Sequence, residues 1–130
     1  MKQEDKELLL KDLCARLLYG VKVSYKTVGW EDKYHELSPE IISNMLIRND
    51  VELKPYLRPM SSMTKEERME FEDICTTIAK DRTHFVMEGS IDSNYMLEKF
   101  YWLLKNHFDY LGLIPNGLAI RVTEENNPYK

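Results

Sequence analysis

Leu9, Leu10, Leu13, Cys14, Leu17 and Leu18 recur at three- and four-residue spacing, while Glu7, Lys11, Asp12 and Arg16 fall mostly outside that stripe. This predicts an amphipathic first helix, with Leu8 as a surface leucine and Gly20 as the left-handed residue that ends it. The period then drops to two. Val21, Val23 and Tyr25 alternate with Lys22, Ser24 and Lys26, which reads as a half-buried strand running to Val28. "GWED" is expected to turn the chain, and "KYHEL" to return as a short partner strand.

Ser38 followed by Pro39 is the order of an N-cap and a first helical residue, and Leu37 and Ile42 are spaced as a hydrophobic staple. Ile41, Ile42, Met45 and Leu46 form the apolar face, which "RND" terminates. In "KPYLRP" both Lys54 and Arg58 precede a proline, so the run from Glu52 to Pro59 must be extended. Its prolines remove two ladder donors, which suits an edge strand or a crossing segment, and the preferred reading is a stiffened crossing with Tyr56 and Leu57 pinned on the core. Thr64 and Glu67 form a capping box that starts a third helix, with a stripe of Phe71, Ile74, Cys75 and Ile78. "THFVME" reads as a short strand ended by Gly89 and Ser90.

Asp92 is the expected cap of a fourth helix, whose apolar arc is Met96, Leu97, Phe100, Leu103, Leu104, His107 and Phe108. Tyr95 and Trp102 point to the opposite, polar side. Either another element covers them, which is the preferred reading, or they form an exposed patch for a partner. In "LIPNGLAIRV", Pro115, Asn116 and Gly117 fit a type I turn between a short Leu113–Ile114 partner and a strand of Leu118, Ile120 and Val122. A competing reading ends the fourth helix at Gly112 and leaves one strand.

Together these elements give an α+β class: about four helices on a small, mainly antiparallel sheet, with residues 1–123 as one domain and 124–130 as a frayed tail. The composition agrees, since 43% hydrophobic and 31% charged residues over 130 positions suit a single globular core. A net charge of −4 argues against unspecific nucleic-acid binding. No apolar run approaches membrane-spanning length, and the charged, periodic first residues do not read as a signal peptide, so the expected location is cytoplasmic. Cys14 and Cys75 both fall on predicted apolar faces and read as small hydrophobes.

The segments "KPYLRPMSSMT", "HFDYLGLIPNGLAI" and "NNPYK" resemble a family of small uncharacterised proteins from gut anaerobic bacteria and their phages or mobile elements. The resemblance spans nearly the whole chain. That family has no assigned activity, so the resemblance implies an accessory role in such a genome and no catalytic residue.

Chemistry finds little purchase. His35, His84 and His107 share no ligand spacing with each other or with a cysteine, and His107 reads as structural on the last turn of its helix. No phosphate loop, dinucleotide fingerprint or nucleophile elbow is present. No metal and no cofactor is implied. By elimination the expected function is non-catalytic: an interaction or accessory protein presenting a surface to an unknown protein. The candidate surfaces are Lys54, Tyr56 and Arg58 on the proline segment, and Tyr95 with Trp102, through which a homodimer would form. The alternative is a winged-helix-like nucleic-acid regulator using the fourth helix, a wing carrying Arg121, or a strip of Lys22, Lys26, Lys54 and Arg58. A small enzyme ranks third.

Overall fold

The computed structural model describes residues 2–27, 30–48, 51–81 and 88–130, of which 27, 30–33, 75–81 and 88–95 are described by their backbone alone. Among these residues four α-helices accompany a four-stranded sheet, an α+β fold. The first helix, α1 (Gln3–Arg16), runs on as a single 3₁₀ turn and stops at Gly20, which takes a φ of 69°. Its buried face is Leu9, Asp12, Leu13 and Arg16, the i, i+3, i+4, i+7 set. The expected stripe is therefore rotated: Cys14 is exposed and Leu18 is 90% exposed. Two charges can occupy that inward face because they neutralise each other.

β1 (Lys22–Thr27) follows and pairs antiparallel with β2 (Trp30–Glu36), with an irregularity between Val23 and Tyr25. Trp30, Glu31 and Asp32 belong to β2 rather than to the turn expected at "GWED", and residues 28–29 lie outside the described ones. Val21, Val23 and Tyr25 are buried as their alternation requires. α2 (Pro39–Ile47) begins at Ser38, whose Oγ accepts the Ile41 N–H at 3.4 Å. Ile41, Ile42 and Met45 are buried beneath it, while Leu46 stays exposed.

β3 (Glu52–Leu57) is extended, as its prolines demand, but it lies inside the sheet, whose order is β2-β1-β3-β4. An interior strand tolerates Pro55 here because its two neighbours flank different halves of it. β1 pairs antiparallel along 52–55, and β4 (Ile120–Arg121) pairs parallel only from Tyr56 onward. The expected hairpin between Leu113–Ile114 and the last strand does not form. Instead Gly117 N–H closes a turn on Ile114 O at 3.0 Å, and the chain passes on to join β3.

α3 (Lys65–Asp81) starts at the capping box, with Thr64 N–H on Glu67 Oε1 at 3.0 Å and Glu67 N–H on Thr64 Oγ1 at 3.1 Å. α4 (Glu88–Lys105) already contains Gly89, Ser90 and Asp92, so Asp92 is no cap and Glu88 ends no strand. The rest of that expected strand, 83–87, lies outside the described residues. The larger core joins α1 and α2 to β1 and β3. A smaller one gathers Trp102, Leu103 and Phe108 with Met63, Phe71 and Ile74. No described helix is long and apolar enough to cross a membrane.

Candidate functional site

The proline segment is a joint rather than a display. Lys54 lies beside Glu52 at 3.5 Å, and Tyr56 is buried with its ring edge-on to Tyr34, centroids 5.4 Å apart. Arg58 grips both Glu67 oxygens at 2.6 and 2.7 Å, and its guanidinium lies 4.2 Å above the Phe108 ring. Its backbone N–H donates to His107 O and its carbonyl accepts from Asp109 N–H, each at 2.8 Å. The Arg58 hydrogen bonds, helped by the Thr64 amide, hold the Glu67 carboxyl down to about 2. A guanidinium so engaged is a cross-link, not a free binding group.

Trp102 is likewise no surface residue. It is 8% exposed, stacked on Phe108 with centroids 5.6 Å apart and tilted against Phe71 at 5.2 Å. α3 supplies the cover, which removes Trp102 from any dimer face. The side chain of Tyr95 lies outside the described residues. β1 does neighbour β3, so Ser24 faces Lys54 in register, as the basic strip required. Yet Lys22 sits 3.8 Å from Glu36, and Lys54 and Arg58 have their own carboxylates. The wing is missing too, since no hairpin follows α4.

Two features escaped the sequence reading. Asp12 and Arg16 are both fully buried, with Arg16 Nε and Nη2 donating to the two Asp12 oxygens at 2.6 and 3.2 Å. Arg16 Nη2 also donates to Phe108 O at 2.5 Å. Burial pushes the Asp12 carboxyl up against the downward pull of Arg16. The interleaving of this pair with Leu9 and Leu13 at helical spacing was its available signal.

The second feature lies where α4 ends. Phe108 N–H donates to Leu103 O at 3.0 Å and His107 N–H to Leu104 O at 3.1 Å, the Schellman pattern. The left-handed position falls to His107, at a φ of 63°, where glycine is the usual occupant. Its imidazole lies flat on Tyr129, centroids 3.9 Å apart and planes 8° from parallel. Burial, reinforced by Arg16, Arg58 and Lys22, lowers the imidazole to about 4, so no cation forms at this helix end at neutral pH. The Nδ1 atom is buried and unpartnered.

Tyr129 belongs to the stretch expected to fray. Its hydroxyl instead accepts Lys22 N–H at 3.0 Å and donates to Tyr56 O at 2.7 Å. Beside it opens a hollow of about 630 Å³ lined by Arg58, Lys105, His107, Glu124 and Asn127. A second hollow, of about 420 Å³, is lined by Met60, Met63, Phe71 and, at its rim, Arg68, Glu72 and Lys99. Among the described residues no group of His, Cys, Asp and Glu is placed to hold a metal ion. Asn106, His107 and Asp109, adjacent in sequence, serve three separate bonds: Asn106 Nδ2 to Trp102 O, the His107 stack, and Asp109 accepting Leu113 and Ile114 N–H. No protein-family model, curated protein sequence or solved structure matches this chain.

Proposed function

We propose that this chain is a non-catalytic accessory protein that binds another protein through the outer side of α3, α4 and the turn before α3. The observation that carries the reading is the methionine-lined hollow there. Met60, Met63 and Phe71 form its apolar lining, and Met69, Met96, Leu97 and Tyr101 stand exposed on the same helix pair. Methionine is flexible and polarisable, and a surface rich in it adapts to a partner's apolar side chains. The charged rim of Arg68, Glu72 and Lys99 would set orientation. The absence of catalysis is supported by the ionisable pairs, which are spent on structure: Asp12 with Arg16 and Glu67 with Arg58. The resemblance to small proteins of gut anaerobes and their phages supports an accessory role. An exposed free thiol at Cys14 fits a reducing cytoplasm.

The test is to recover bound proteins with tagged full-length chain and with a Met60→Glu, Met69→Glu double variant from the cells that make it. A protein held by the first and lost by the second, with the variant's circular dichroism unchanged, is the expected result. Identical recovery by both, or none above an unrelated control, would refute the reading.

A further inference from the structure

The β1–β3 ladder ends at Val23 and Pro55. Just beyond it, the Lys22 N–H and the Tyr56 C=O both bond the Tyr129 hydroxyl, at 3.0 and 2.7 Å. Backbone N–H and C=O groups away from water need partners. A phenol answers both at once, because one hydroxyl at the tip of a flat ring accepts and donates. Tyr129 does this, with its ring lying on the His107 imidazole.

We infer that this end of the ladder is a recognition site for a tyrosyl side chain on an extended segment, filled in cis by Tyr129 and open to a tyrosine-bearing segment of a partner protein in its place. The attachment of residues 123–130 supports exchange. Among the described residues, their hydrogen bonds to the rest of the chain run through Tyr129 alone, the others being local turns such as Tyr129 N–H on Asn127 Oδ1 at 2.9 Å. Displacement therefore breaks one anchor. Glu124 lines the hollow together with Lys105, so the fitting partner segment is acidic a few residues before its tyrosine. This site is distinct from the methionine-lined hollow, and the two readings stand or fall separately.

The probe is an acetylated and amidated peptide of the sequence TEENNPYK, labelled for fluorescence anisotropy. Full-length Tyr129→Ala protein should bind it, and wild type should bind about ten-fold more weakly or worse, because the tethered residue competes at high effective concentration. Replacing the peptide's tyrosine by phenylalanine should cost roughly five-fold, the worth of a modest hydrogen bond. No binding by folded Tyr129→Ala, or equal binding of both peptides, would overturn the inference. Should that variant fail to fold, Tyr129→Phe, which lacks only the hydroxyl, carries the test: weak but measurable peptide binding is expected, and none refutes it. The Met60→Glu, Met69→Glu protein carrying Tyr129→Ala should bind the peptide unchanged, which separates this site from the docking face.

Discussion

At the scale of the residue, His107 and Arg16 decide most. The folded imidazole titrates near 4 against an ordinary 6.5, so as pH falls the unfolded chain takes up its proton first. A depressed histidine therefore contributes stability that is whole above 6.5 and drains away as pH falls towards 4. The urea midpoint of wild type should drop over that interval relative to His107→Phe, which keeps a ring for Tyr129 and has no proton to bind. Parallel curves would contradict the burial of the imidazole. Arg16 sets up a second contrast. Asp12→Ala leaves a guanidinium buried with only Phe108 O as acceptor, an error costing about 3–5 kcal/mol. Asp12→Leu with Arg16→Met removes both charges and should lose less than that single change in chemical denaturation, apart from the unmet Phe108 carbonyl. A double variant worse than the single would show the pair to be more than mutual compensation.

At the scale of the element, capping rules held at α2 and α3, where the partners are near in sequence. The Thr64–Glu67 capping box and the Ser38 cap span three residues, and β1 buries Val23 and Tyr25 as its alternation requires, although Ser24 on the other face is buried as well. Helix faces were less legible. α1 turns Asp12 and Arg16 inward because their charges cancel, which a hydrophobic stripe counts as outward. In α4 Trp102, Leu103 and Leu104 are buried on successive sides, Trp102 between Phe71 and Phe108, while Met96 and Leu97 are exposed. Those outcomes depend on neighbours tens of residues away. Tyr129 gave no signal at all, since its partners Lys22 and Tyr56 are 107 and 73 residues distant. On the proline segment Arg58 turns inward for a related reason: it finds Glu67, already engaged in the cap. Hence Thr64→Ala should cost about 1 kcal/mol, an ordinary cap. Glu67→Ala should cost more, because the same carboxylate also holds Arg58 in place. Thermal unfolding compares the two, and equal losses would mean the Arg58 link contributes nothing.

At the scale of the molecule, the two cores meet around Phe108. Its ring belongs to the smaller core, stacked on Trp102 beneath Arg58, while its carbonyl is bonded by Arg16 of the larger core. Arg58 completes the join, since it continues the chain from β3 and pairs with Phe108 in a parallel bridge. The Arg58–Glu67 pair ties α3 to the end of β3, so cooperativity between the cores should pass through this joint. Phe108→Leu keeps an apolar side chain and the carbonyl but removes the surfaces that Trp102 and Arg58 rest on. Hydrogen exchange on that variant should show amides of α3 and the second half of α4 losing protection by about 1–3 kcal/mol, while β1 and β3 stay closer to wild type. Uniform loss across both regions would mean that the cores open as one unit and that the joint is redundant. Selective loss would place the methionine-lined hollow on the less stable half of the protein, the half able to reshape itself around a partner.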